Sequence, residues 1–396
     1  MRWKYSDIGN PEERRDRAAT IEAIDRWWHE FSRKTADLNA LFSRKTDWDL
    51  PAWMQEHLNA ISPKLCWEFG PGLPVGHRLV ITPESHRALR PLVQTILDRA
   101  PEIAGWSFHA YRLPENFKQT ISTVQSRTKG DVSSTRFLAS LADHNRIDLK
   151  LLWPGRSYQE GNAAKAAFVA IETLLGEEVL DKWIGCIDVE ADKWFSKSKP
   201  LDQLKPAVDQ LIGQIHDKLF SKPCFQVEDA KWTMWKLKPK TRKDYAGQHD
   251  LFVGKSMLPG MWQAAHGSCI FYSSSFSKCG ETFCYVKIDG SQGLDQEKFK
   301  DKGDIEDALE EALKGLSAGG VIGGGTGLRY SYIDLALKDV ERGIEAIRSV
   351  LRQGNIARRT WVLFFDAELS KEWIGIWDDT PPPPLDDEVI KQEGRT

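Results

Sequence analysis

GGVIGGGTGLRYSYIDLAL, residues Gly319 to Leu337, joins a run of glycines to an alternating aromatic and aliphatic segment. A glycine turn that holds a nucleotide phosphate follows a strand and opens a helix, because the helix N-terminus carries the phosphate. Here Gly323, Gly324, Gly325 and Gly327 lead into RYSYIDLAL, whose β-branched and aromatic alternation is that of a strand. The glycines therefore read as a turn joining two strands, Gly320–Gly323 and Leu328–Leu337, with positive φ at one or more of them. Gly254-Lys255-Ser256 fails as a phosphate loop on spacing, since His249 stands where the earlier glycine is required.

Working outward, Phe283–Ile288 reads as a strand, and Asp304 caps a helix whose inner side is Ile305, Leu309, Ala312, Leu313 and Leu316. Asp339 opens a second helix carrying Val340, Ile344, Ile347 and Leu351, stopped at Gly354, and Thr360–Phe365 is the last strand. The order β-α-β-β-α-β is that of the ferredoxin-like split arrangement. Residues 63–198 share its ingredients with one extra strand: strands at Leu65–Phe69, Arg78–Thr82, Trp106–Tyr111, Ile147–Trp153 and Trp183–Val189, and helices from Pro83 to Arg99 and from Asn162 to Leu175. Gln119–Ser134 reads as a surface loop or ragged helix. Before them, Ile21, Ile24, Trp28, Phe31, Leu38 and Phe42 give one face of a long helix an apolar seam, and Asp49 caps a shorter helix. The expected fold is α/β (α+β), with two ferredoxin-like modules. Its parts are a helical arm over 1–62, modules over 63–198 and 251–377, the amphipathic helix Leu201–Phe220 and a basic linker within 199–250, and a disordered proline-rich acidic tail over 378–396.

The chain has 396 residues, 54 Lys and Arg against 57 Asp and Glu, and a net charge of −3, so no global pull toward nucleic acid or an anionic membrane exists. Runs of aliphatic and aromatic residues, such as Trp361–Phe365, are far too short to span a bilayer. A cytoplasmic protein without a membrane segment, monomeric or dimeric, is the expectation. Its six cysteines show no zinc spacing, and no cofactor or metal motif stands out. The sixteen tryptophans are assigned chiefly to core packing.

Strand alternation supplies the sharpest functional lead. Cys284, Val286 and Ile288 face the helices, leaving Phe283, Tyr285 and Lys287 on the other side; Ser331, Ile333, Leu335 and Leu337 face in, leaving Tyr330, Tyr332 and Asp334 out. Phe283, Tyr285, Tyr330 and Tyr332, with Arg329 beside them, form a candidate binding face. The layout resembles the RNA-recognition motif, and LRYSYIDL (Leu328–Leu335) is similar to its RNP1 octamer at Tyr330, Tyr332 and Ile333, with Leu328 at the basic position and Arg329 at the glycine. That resemblance implies stacking of single-stranded RNA on the rings. The competing expectation is that the face is buried against the other module or the N-terminal arm.

KWTMWKLKPKTRK is a candidate basic patch comprising Lys231, Trp232, Trp235, Lys236, Lys238, Lys240, Arg242 and Lys243. It reads either as a nucleic-acid contact or as a solvated edge strand. His249, Asp250, Asp289, Asp334, Asp366 and Glu368 are the carboxylates and histidine considered for a metal. With the first and third strands taken as parallel, Asp289 and Asp334 lie toward one end and Asp366 at the other, which argues against a shared ion. Ser268-Cys269 and Ser273–Ser275 lie near His249 and His266 in sequence without forming a recognisable triad. The function expected is non-enzymatic protein binding or regulation through an unknown protein partner. The alternatives are RNA binding through the aromatic face, and a hydrolase whose site the sequence does not mark.

Overall fold

The first helix, α1 (Pro11–Phe42), starts where the Asn10 side chain accepts the N–H groups of Glu12 and Glu13, satisfying donors that a helix end leaves unpaired. A computed structural model describes residues 1–6, 9–72, 75–154, 160–191, 197–267, 269–291, 293–294 and 298–385. Ser268 and the end of the acidic tail, 386–396, lie outside the described residues. The chain divides into two units, Met1–Gln214 and Ile215–Thr396. Among the described residues no helix is long and apolar enough to cross a membrane.

In the first unit α1 buries Ile24, Trp27, Trp28, Phe31 and Leu38. They share one core with α2 (Leu50–Ile61), strands β1 (Cys66–Pro71) and β2 (His77–Thr82), and α3 (Arg90–Asp98). The Trp28 indole donates to the Ile96 carbonyl at 2.8 Å, and Phe31 meets Trp106 of β3 (Trp106–His109) edge-on with centroids 4.9 Å apart. The apolar seam of the arm is thus spent inside its own unit.

Residues 63–198 do not form one sheet. β1, β2 and β3 make a three-stranded sheet, antiparallel then parallel. A second sheet has the order β6-β5-β4-β7, from β4 (Arg136–Leu141), β5 (Ile147–Trp153), β6 (Ile184–Ala191) and β7 (Lys199–Pro200). Gln119–Ser134 lies mostly within a regular helix, α4 (Phe117–Thr128), capped by Asn116; α5 (Glu160–Leu175), α6 (Glu177–Trp183) and α7 (Leu204–Lys218) complete the helices.

The second unit contains one seven-stranded sheet, β14-β13-β10-β12-β11-β9-β8. Its strands are β8 (Thr233–Lys236), β9 (Leu251–Ser256), β10 (Thr282–Asp289), β11 (Gly319–Gly327), β12 (Tyr330–Leu337), β13 (Thr360–Phe364) and β14 (Trp373–Gly375). Its helices are α8 (Pro259–His266), α9 (Lys302–Gly315) and α10 (Val340–Gln353). α9 and α10 bury Ile305, Leu309, Leu313, Ile344, Ile347 and Leu351. The tail starts later than 378 suggests: Asp378 pairs with Arg352 at 2.6 Å, and the Pro381 carbonyl accepts from the Trp361 indole at 2.6 Å.

The glycine run is not the turn. It is strand β11 itself, paired with β12 on one side and β9 on the other, and the chain reverses at Leu328 and Arg329. Room, more than turning, is what these glycines supply: a Cβ on Gly327 would stand 2.3 Å from an Asp250 carboxylate oxygen. Gly324 alone in the run has a positive φ, +149°. Gly327→Ala is therefore expected to cost about 3 kcal/mol in urea unfolding, the upper range for overpacking. Gly315→Ala at the end of α9, where a Cβ meets nothing within 4 Å, is expected to be neutral or stabilising by up to about 1 kcal/mol. Equal effects at the two positions would contradict the crowding at Gly327.

Candidate functional site

The pairing of β10 with β12 places Tyr285 opposite Asp334, Lys287 opposite Tyr332 and Asp289 opposite Tyr330, so these six side chains share one sheet face. Phe283, Tyr285, Tyr330 and Tyr332 are all buried. Segments of the same unit on either side of β9 cover this face: Phe271 lies 6.3 Å from Phe283, and Tyr245 and Trp262 of α8 belong to one buried cluster with Tyr285, Tyr330 and Tyr332. The four rings pack inside the unit rather than facing solvent.

Polar groups lock the cover down. Lys287 is fully buried; its Nζ donates to the carbonyls of Tyr245 and, at 2.9 Å, Gly247, and lies 4.0 Å from the Tyr330 ring centroid. Burial pushes its pKa down to about 8, against the pull of Asp250 and Asp244. Asp250 accepts the backbone N–H groups of Arg329 and Tyr330 at 2.8 and 2.9 Å, and the Tyr332 hydroxyl. Asp244 accepts from the Tyr330 hydroxyl at 2.6 Å and from Arg359 at 2.8 Å. Asp289 takes Arg329 at 2.8 Å and Arg359 at 2.9 Å. Burial opposes its ionisation, but the hydrogen bonds from Arg329 and Ser291 outweigh it and hold the carboxyl down at about 2.

A second polar chain runs through α8. The Gln248 amide donates to Asp334 at 2.8 Å, and its oxygen stands 2.7 Å from His266 Nε2, while His266 Nδ1 faces the Trp262 carbonyl at 2.8 Å. Both ring nitrogens thus face oxygens, which requires an imidazolium beside an Asp334 carboxylate. Turning the amide over satisfies the same contacts with a neutral ring and a protonated Asp334. The two arrangements carry equal net charge. Burial lowers the pKa of His266 and raises Asp334 to about 7, so both shifts favour the neutral pair. The other Asp334 oxygen is buried without a hydrogen-bond partner, as a neutral acid tolerates far better than an anion.

The metal candidates disperse. β10 and β12 are antiparallel, not parallel, so Asp289 sits at a strand end and Asp334 in mid-strand. Asp366 accepts from the Ser273 backbone at 2.7 Å near the opposite end of β10. Among the described residues no group of three His, Cys, Asp or Glu could hold a metal ion.

The basic run behaves differently along its length. Thr233–Lys236 is β8, the last strand of the sheet on that side. Trp235 stacks on Trp262 at 3.9 Å with planes 6° apart, and Trp262 stacks on His266 at 4.0 Å. Trp232, by contrast, is 51% exposed and Met234 65% exposed; Lys231, Lys236, Lys238, Lys240, Arg242 and Lys243 are exposed too. Leu237 donates its N–H to the Phe252 carbonyl at 2.8 Å. Residues in phase with it, Trp235 and Thr233, hence face β9, and Met234 and Lys236 turn their backbone N–H and C=O groups outward.

Tyr285, Tyr330 and Tyr332 share one buried cluster and Phe283 belongs to another; sequence reading missed Asp244, Gln248, Arg359 and His266, which come from irregular segments, a distant strand end and the end of α8. A buried lysine in an otherwise apolar strand, Lys287, was the available signal that oxygen atoms had to cross this face. No protein-family model, curated protein or solved structure matches the chain.

Because the folded state holds the Asp334 proton more tightly than the unfolded chain does, that acid stabilises fully below about pH 4 and its contribution is lost as pH rises through about 7. Lys287 acts in the other direction, with stability rising from about pH 8 toward 10.5. Asp334→Asn should flatten the slope between pH 4 and 7 in chemical unfolding, raising stability at pH 8 by an amount of order 4 kcal/mol. A slope unchanged in the variant contradicts a protonated Asp334.

Proposed function

We propose that the chain is a non-enzymatic protein-binding protein, and that its second unit adds an extended acidic segment of a protein partner to the sheet along β8. The observation that carries this reading is the open backbone edge at Met234 and Lys236, set among exposed lysines. Strand addition draws affinity from main-chain hydrogen bonds and specificity from alternate side chains. Trp232 and Met234 offer apolar contacts, and the surrounding cations favour a partner strand rich in Glu or Asp.

An RNA partner is the weaker fit for the same run. Sequence-tolerant binding of single strands uses successive aromatic platforms, and of the two tryptophans here Trp235 is already stacked inside the unit. The reading treats β13-β10-β12-β11, with α9 and α10, as a ferredoxin-like module extended by β9 and β8; it is supported by the strand order and by the pairing of neighbours antiparallel throughout. A reducing cytoplasm suits the buried thiols of Cys224 and Cys284, both raised by burial.

Proline at a position whose N–H points outward blocks strand addition without removing a bond to β9. Fluorescence anisotropy with a labelled peptide of alternating Glu and Val should show salt-sensitive binding that Met234→Pro weakens by at least about tenfold, with the melting temperature within about 2 °C of the parent. Equal binding by the variant, or preferential binding of a uridine-rich oligonucleotide that Trp232→Ala abolishes, contradicts the reading.

A further inference from the structure

The first unit holds a partly open cavity of about 250 Å3 between β1, the segment that follows β3, and helices α4 and α5. It lies below the roughly 300–1,000 Å3 typical of sites for drug-sized ligands, so an occupant would be small. Its lining combines acids and bases: Glu68, Glu115 and Glu172 with Arg112 and Arg127.

These charges are not equally committed. Arg112 donates to Glu84 at 2.5 Å and to Glu172 at 3.0 Å. Arg78, buried behind the cavity, donates to Glu115 at 2.7 Å. Glu172 is raised by burial, yet it is held by Arg112 and by Arg127. Glu68 receives longer approaches, from Arg112 at 3.3 Å, Arg78 at 3.5 Å and Arg127 at 3.7 Å. Arg127 likewise stands 3.4 Å from Glu172 and 3.7 Å from Glu68. The Glu68 side chain is 26% exposed and that of Arg127 41% exposed. In addition, Arg112 Nε is buried with no hydrogen-bond partner, because its approach to Glu68 lacks hydrogen-bond geometry.

One loosely held acceptor, one loosely held donor and one orphaned donor therefore border the same small space. We propose that this cavity is a binding site for a free α-amino acid. The ligand's ammonium group would donate to Glu68, and its carboxylate would accept from Arg127 and from Arg112 Nε. The 3.7 Å between Glu68 and Arg127 is an ion pair that a zwitterion can enter and replace by two charge-assisted hydrogen bonds, each stronger than the contact it displaces. Leu113 is the apolar side chain of the lining, which favours an aliphatic side chain over a charged one. A simple anion would satisfy Arg127 and leave Glu68 facing like charge; a simple amine would leave Arg112 Nε unpaired. Only a ligand bearing both groups meets all three needs.

Isothermal titration of the full chain with the standard L-amino acids, each to about 10 mM, tests this. Saturable binding is expected for at least one aliphatic amino acid. The matched amine without the carboxylate and the matched acid without the amine should each bind at least about tenfold more weakly. Glu68→Gln and Arg127→Gln should each weaken binding at least about tenfold while leaving the melting temperature within about 2 °C, since neither side chain is tightly held. The parent titration stands whether or not a variant folds: no saturable binding of any amino acid overturns the proposal. Equal binding of the amine alone overturns it in favour of a cation site, and binding unaffected by both substitutions overturns the assignment to this cavity.

Discussion

An ammonium group in the middle of a β-sheet face is tolerable only where oxygen atoms close around it. For Lys287 those oxygens are the carbonyls of Tyr245 and Gly247, and that requirement sets the path of the chain across β10 and β12. Once Asp244–Asp250 crosses there, Asp250 reaches the turn at Arg329 and Tyr330, Gln248 reaches Asp334, and after β9 the chain returns as α8, with Trp262 against Gly254. The aromatic rings become core as a consequence. Gly327 completes the arrangement by leaving the space that the Asp250 carboxylate occupies.

Much of the second unit was legible in the sequence. Period-two alternation assigned Tyr285, Lys287, Tyr330, Tyr332 and Asp334 to one face, and capping residues such as Asp339 marked helix starts, because both signals are local. The glycines were misread as a turn since glycine permits a reversal and a crowded strand equally, and only the neighbours Asp250, Leu251 and Phe225 distinguish the two. Strand direction was misjudged between β10 and β12 for a related reason: direction depends on connections around the whole sheet. The first unit resisted reading at the level of sheets, where β3 pairs with β2 and β4 with β5, because each of those strands has the same local pattern whichever partner it takes. The ionic lining of its cavity draws on β1, the segment after β3, α4 and α5, and no sequence spacing ties those together.

The two units differ in where their polar groups are left unsatisfied. Around Lys287, carboxylates and hydroxyls find short partners, and rigidity follows. At β8 the open groups belong to the backbone, which suits another strand. Around Glu68 the slack lies in side chains bordering a small, partly open cavity, which suits a small molecule. Function is assigned to places where partners are missing; on the aromatic face most polar groups are paired, the second Asp334 oxygen excepted.

Hydroxyl-radical footprinting read by mass spectrometry compares the closed face with the open edge in one measurement on the native chain. Phe283, Tyr285, Tyr330 and Tyr332 should remain unmodified under conditions that oxidise Trp232 and Met234. Modification of Tyr330 and Tyr332 at rates close to that of Trp232, in protein that is still folded, would show that the strap over β10 and β12 is open and would contradict the account.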